Sequence, residues 1–181
     1  MTELQTRCLD TFPEWLRALA TDAAELAKVL ASTNAPEGVR RYVAGGLNYL
    51  FKSLDLIPDG IEDLGFLDDA FVIRVAAALA LHDSPAAKDE APVLARLAGE
   101  TKLISDLLGK DFARLEAYVK TLTRGTARGR SVDEILHDEH ARSAFLHEVT
   151  GWASSYETPT FGRDEKNLVK LQSFLGAKLP A

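Results

Sequence analysis

The stretch SLDLIPDGIEDLGFLDD, Ser53 to Asp69, places Asp55, Asp59, Glu62, Asp63, Asp68 and Asp69 within seventeen residues, with no Lys or Arg among them. Carboxylate oxygens are hard ligands suited to Mg²⁺ or Ca²⁺. Asp55, Asp59, Asp68 and Asp69 lie on two sides of one tight turn, where they could converge on such an ion. The spacing fits no EF-hand loop, however, and the adjacent Asp68 and Asp69 point about 100° apart on a helix. Each residue also has a structural use. Pro58 has no N–H and disfavours helix at Ile57, so a preceding helix must end before it. Asp59 followed by Gly60 favours a reversal, and Gly65 can take a backbone conformation closed to other residues. Asp68 and Asp69 fall in the first turn of the next helix, where free N–H groups and the helix dipole favour negative charge. Asp55 could accept hydrogen bonds from backbone N–H groups in the turn. The reading taken is a capped structural corner that needs no cofactor, with a divalent metal as the alternative.

Two further constellations could carry chemistry. HDEHARSAFLHE brings His137, His140 and His147 together with carboxylates. On one continuous helix His140 and His147 share a face with His137 one turn back, a pattern that can bind zinc or a redox metal. The HExxH order is absent, and a solvated helix with scattered histidines is the plainer reading. TRGTARGR offers Arg124, Arg128 and Arg130 beside two glycines. Guanidinium groups and open backbone could receive an anion or an acidic partner. It is not a phosphate-binding Walker loop, because the Gly-Lys-Ser/Thr ending is missing. The acidic turn and this basic loop are expected to lie together as an internal clamp. No GxSxG occurs, and nothing supports nucleophilic catalysis.

Composition narrows the classes. The 181 residues are 46% hydrophobic and 27% charged, with a net charge of −6, as an ordinary globular chain has. Nucleic acid is not expected as a partner, since duplex binding needs a basic face. One cysteine, Cys8, is expected near a mobile terminus. A lone thiol builds no intramolecular disulfide, which suits a reducing compartment. No secretory signal is read at the N-terminus. The most apolar run, Ala70 to Leu81, holds Arg74 and falls short of the roughly 20 residues a spanning helix needs. A cytoplasmic protein without a transmembrane segment is expected.

The elements that must position these residues are helical almost throughout. A first helix is expected from Thr11 as N-cap with Pro13 in its first turn, burying Leu16, Leu19, Ala23, Leu26 and Leu30. A second runs from about Glu37 to Lys52, where Gly45 and Gly46 signal close approach of another helix. A third, about Leu67 to His82, is apolar nearly all round and belongs at the centre of a bundle. DSPAAKDEAP is the candidate boundary. Beyond it, helices are expected over Val93 to Leu108 and Phe112 to Thr123. Ser131 with Glu134 makes a capping box for the next helix or helix pair, and a last helix carries Leu168, Leu171 and Leu175. The fold expected is an all-α bundle of about seven helices around a central apolar helical hairpin. Residues 1–84 hold the core helix-turn-helix (about 37–82), and 85–181 form a C-terminal set packed on it.

Tyr49, then DLIPD at Asp55 to Asp59, then LGFLDD at Leu64 to Asp69 resemble the signature of the YkvA-like family, domain of unknown function 1232. This is a short bacterial domain, resembled here over the second and third helices. The resemblance implies a helical hairpin around an acidic turn, and members often sit beside membrane-spanning segments; it brings no established activity. The turn here is more polar than the family pattern, with Ser53, Gly60 and Glu62-Asp63 at positions usually proline or apolar. The function favoured is a non-enzymatic interaction or regulatory module acting on an unknown protein partner or a second copy. A metal-dependent enzyme built on the acidic turn and a peripheral membrane adaptor are the alternatives.

Overall fold

The computed structural model describes residues 1–52, 55–58, 60–61 and 63–181. Ten helices and one small hairpin form among them: α1 Glu3–Ala31, α2 Glu37–Tyr49, α3 Leu67–Asp83, α4 Ala87–Glu90, α5 Pro92–Gly99, α6 Thr101–Leu108 and α7 Asp111–Leu122. After these come β1 Thr126–Ala127, β2 Arg130–Ser131, α8 Val132–His137, α9 Glu139–Ser155 and α10 Glu165–Lys178. The all-α class holds. The helix number exceeds about seven because two expected helices are broken and a one-turn helix, α4, forms within DSPAAKDEAP.

α1 starts nine residues earlier than Thr11 as N-cap suggests. Thr2 caps it: its hydroxyl accepts from the Gln5 N–H at 3.1 Å, while the Gln5 side chain accepts from the Thr2 N–H at 2.8 Å. Pro13 therefore lies inside the helix, at the cost of one backbone hydrogen bond. The apolar stripe continues upstream of it through Cys8, Leu9 and Phe12, all buried, and burial on both sides holds the helix through the proline. Cys8 is accordingly a core residue and not part of a mobile terminus.

α3 is the centre. From Leu67 to Ala77 every residue is buried, and α2 and α5 cover the broadest parts of it, with α1, α6 and α7 closing the remainder. Its one cation, Arg74, is fully buried. The guanidinium donates to Glu100 at 2.7 Å and to the Ala70 carbonyl at 3.0 Å, lies 3.5 Å from Asp22, and stacks 4.1 Å over the Trp15 ring. Arg96 reaches the other Asp22 oxygen at 2.5 Å. Burial pulls Arg74 below its ordinary pKa, and Glu100 and Asp22 oppose that. α1, α3 and α5 are thus tied by one ion network whose centre, Arg74 and Asp22, is buried.

The break between α5 and α6 serves this network. In place of one helix from Val93 to Leu108, the chain tightens at Glu100, whose N–H bonds to the Leu97 carbonyl at 3.1 Å. The kink turns the Glu100 carboxylate onto Arg74. A second break corrects the continuous histidine helix. Asp138 is extended and caps α9 through the His140 and Ala141 N–H groups at 3.0 and 3.3 Å. His137 ends α8 and does not share the axis of His140 and His147. The Ser131–Glu134 capping box forms as expected.

Gly45 and Gly46 both permit close packing. A Cβ on Gly45 would stand 3.0 Å from the Leu122 carbonyl oxygen, and one on Gly46 would stand 3.2 Å from the Ala76 Cβ. The first neighbour is backbone at the end of α7 and cannot swing aside. Gly45→Ala is therefore expected to destabilise by about 1–3 kcal/mol, more than Gly46→Ala, read as urea unfolding midpoints. An unchanged midpoint for Gly45→Ala would mean that α2 and α7 do not meet there.

Candidate functional site

The corner between α2 and α3 is built around Tyr49, the last residue of α2. Its hydroxyl donates to the Asp68 carboxylate at 2.5 Å and accepts from the Leu56 N–H at 2.7 Å. The Ile57 N–H donates to the same Asp68 oxygen at 3.2 Å. One phenol and one carboxylate thus pin the descending strand of the turn to the first turn of α3. Asp68 and Asp69 are buried, and Asp55 is half-buried. Burial, then the Asp68 and Asp69 charges, hold the Tyr49 phenol far above its ordinary range. Tyr118 of α7 stands edge-on to Tyr49, with centroids 6.2 Å apart. Burial, followed by Asp55, Asp68 and Asp69, pushes its phenol up to about 12.

The rest of the turn is local. The exposed Pro58 gives its carbonyl to the Ile61 N–H at 3.0 Å, and Ile61 in turn accepts from Leu64 and Gly65. Space around Gly60 is open. The left-handed backbone open to Gly65 is taken instead by Asp63 (φ 66°) and Phe66 (φ 67°), conformations that cost a non-glycine residue. Both are held from outside: Asp63 accepts the Gly162 N–H at 3.1 Å, and the Phe66 ring packs on Trp152 and Tyr156. Asp59, a metal candidate, lies outside the described residues.

The structure thus gathers Asp55, Asp68 and Asp69 on one side of the corner, and adds Tyr49 and Tyr118 to them. Among the described residues no group of three or more His, Cys, Asp and Glu side chains is placed to hold a metal ion. The three histidines are exposed and separate: His137 Nε2 lies 2.6 Å from a Glu37 oxygen, while His140 and His147 project from α9.

The basic loop is a hairpin whose tip, Arg128-Gly129, has positive φ at both residues, 50° and 76°, as a two-residue primed turn requires. Its arginines diverge. Arg128 lies 5.0 Å over the Phe51 ring, and Arg130 forms a two-pronged pair with Glu148 at 3.0 and 3.2 Å. The Arg130 hydrogen bond draws the Glu148 carboxyl below its usual range. Arg124 borders a shallow, open groove of about 550 Å³ beside Tyr42, Lys120 and Thr123. Asn48 donates to the Arg130 carbonyl at 3.3 Å, so the loop rests on α2 beside the corner, with Glu148 as the partner of Arg130.

An α-helical bundle whose second and third helices meet through a tyrosine-aspartate corner is the class defined by this geometry. The profile of the family described as "Protein of unknown function (DUF1232)" matches residues 39–74, so over α2, the corner and most of α3 the chain is similar to this YkvA-like family. The match spans the corner and leaves α1 and everything after α3 outside it. No curated protein and no solved structure matches the chain. Among the described residues no helix is long and apolar enough to cross a membrane.

Removing the Tyr49 hydroxyl strips Asp68 of a donor and leaves the buried Leu56 N–H unpaired. Tyr49→Phe is expected to cost about 1–3 kcal/mol, measured by chemical denaturation; an unaltered stability would show that the corner does not depend on this bond. Alkaline pH gives a second expectation. Burial pushes the Cys8 thiol from 9.0 up to about 11, and Tyr118 rises from 10.0 to about 12. Both groups favour the fold while neutral. Their stabilisation is complete below the unfolded values and is lost as pH rises through the folded ones. Melting temperature should fall between pH 9 and 12, and Cys8→Ala should flatten the earlier part of the fall. A flat profile for the unaltered chain contradicts this.

Proposed function

We propose that this chain is a non-enzymatic protein-interaction module of the cytoplasm, in which the acidic corner is a structural latch and the outer surfaces meet the partner. The observation that carries the reading is the fate of Asp68. This motif carboxylate is buried and takes hydrogen bonds from Tyr49 and Ile57, so it faces the fold and not a substrate. Its carboxylate meets the Tyr49 hydroxyl and the Ile57 N–H, at a helix N-terminus that favours negative charge. The burial of Cys8 as an unreactive thiol agrees with a reducing compartment. The partner is a protein surface or a second copy of the chain.

The test is thermal melting in Mg²⁺, Ca²⁺ or Mn²⁺ against EDTA. A site saturated at about a hundredfold above its dissociation constant would add about 2.7 kcal/mol. In a chain of this size that would raise the midpoint by about 5–10 °C. The latch reading expects coincident curves. A metal-dependent rise that Asp68→Asn or Asp55→Asn abolishes would overturn it and leave the metal-dependent enzyme standing.

A further inference from the structure

Between α9 and α10 the chain crosses the outside of the corner as an extended strap, Tyr156 to Arg163. None of the backbone hydrogen bonds found among the described residues involves Thr158 to Phe161. The strap is held instead by side chains and by its ends. The Tyr156 hydroxyl donates to the Leu16 carbonyl at 2.8 Å, and its ring stands edge-on to Phe66 at 5.4 Å. Five residues on, the Phe161 ring meets Phe12 edge-on at 6.2 Å. Gly162 then donates its N–H to Asp63, and Arg163 pairs with Asp10 at 2.6 Å. A Cβ on Gly162 would stand 3.4 Å from the Asp63 oxygen and 3.3 Å from the Asn167 amide, so glycine allows that close approach.

The receiving surface belongs to α1 and the corner. Two of its residues, Asp63 and Phe66, hold the left-handed backbone described above, and both touch the strap. Strained backbone persists where surrounding contacts over-determine it, and it gathers at clamps and switches. Here the strap supplies the contact to Asp63 and, together with Trp152 of α9, those to Phe66. The family match ends at residue 74, so Asp63 and Phe66 lie within it while the strap lies outside it. The strap therefore lies outside the matched residues and is seated on a surface made partly by them, through Asp63 and Phe66, and partly by α1.

We infer that this surface is a docking groove for an extended peptide of a partner protein. The peptide carries two aromatic residues five apart, followed by glycine and a cation, and the strap occupies the groove in its place. Tyrosine supplies an amphipathic ring whose hydroxyl finds the Leu16 carbonyl. Phenylalanine fills the space beside Phe12, the glycine N–H reads Asp63, and the cation meets Asp10. Because the strap is tethered at both ends, its effective concentration at the groove is of millimolar order, and a free peptide at micromolar concentration does not displace it. Opening of the strap is thus the regulated step. This rests on reading the chain as an interaction module, yet it fails separately: metal dependence of the corner overturns that reading, whereas absence of peptide binding overturns only the groove.

The experiment is a fluorescence-polarisation titration with a labelled peptide spanning Ser154 to Lys166. The targets are the full chain and the full chain carrying Tyr156→Ala with Phe161→Ala. The double variant is expected to bind in a saturable manner, at least about tenfold tighter than the unaltered chain. Replacing Phe161 by Ala in the peptide should abolish binding, and adding Asp63→Ala to the double variant should weaken it. A double variant that melts cooperatively and binds no peptide overturns the groove, as does binding indifferent to both of those changes. If the double variant does not fold, hydrogen exchange of the unaltered chain decides. The Gly162 amide should exchange on the order of a hundredfold faster than the core amides of α3, through local opening. Exchange of Gly162 only together with α3 overturns the inference.

Discussion

α3 has no solvent face over its first eleven residues, and that constraint organises the chain. A helix apolar all round must be covered all round, so neighbours are needed on every side. α2 and α5 supply the largest covers, with α1, α6 and α7 completing the enclosure. The family match covers only α2, the corner and most of α3. Outside it, α1, α5, α6 and α7 close the faces of α3 that two helices cannot close for each other. The small residues follow from the same demand. Gly46 meets Ala76 on α3, and Gly45 admits the α7 backbone, so α2 sits close to both neighbours at once.

Two polar arrangements inside this apolar surround fix its geometry. At one end the Tyr49 hydroxyl and the Ile57 N–H converge on Asp68 while the Leu56 N–H donates to Tyr49, so the corner has one geometry that satisfies all its partners. Further along α3, Arg74 cannot be buried alone, because desolvating a guanidinium costs several kcal/mol unless opposite charge is supplied. Asp22 comes from α1 and Glu100 from the α5–α6 kink. These partners come from opposite directions in the chain, so the network specifies which helices surround α3. Apolar contact alone would tolerate many rotations of α1 about its axis; the Asp22–Arg74 pairing, with Trp15 stacked on the same guanidinium, allows few.

Local signals were legible in the sequence and remote ones were not. The apolar run announces α3 to within a residue of its end, and the Ser131 capping box places the start of α8, because both depend on neighbours a few positions away. The start of α1 escapes that logic. Pro13 resembles a first-turn residue, but an apolar stripe from Cys8 onward carries the helix through it. The Gly99-Glu100 kink and the Asp138 break are set by what Glu100 and Asp138 bond to. At the corner, Asp55, Asp68 and Asp69 can be read from their spacing. Tyr118, nearly fifty residues away, cannot, since a tyrosine on an amphipathic helix carries no mark of its partner. Arg74 inside an apolar run, and Asp22 within an apolar stripe, were the available signs of the buried ion network, though their pairing needs the fold. Asp59 remains a sequence candidate outside the described residues.

The corner's strain has a direction. A phenylalanine at φ 67° is unfavourable in an isolated hairpin, and so is an aspartate at φ 66° unless something rewards the orientation. On the inner side, Tyr49 and Asp68 hold the turn closed. On the outer side, Asp63 and Phe66 project to a segment nearly a hundred residues later. The inner bonds use residues of the recognised family signature, and the outer contacts use residues displayed by the same turn. One turn therefore has a buried face that determines the fold and an exposed face that selects what lies across it. The two faces are joined by the short backbone between Asp63 and Asp68, which carries the inner bonds to Tyr49 and Ile57 and the outer contacts to Gly162, Trp152 and Tyr156; holding both sides of so tight a turn requires no catalytic group.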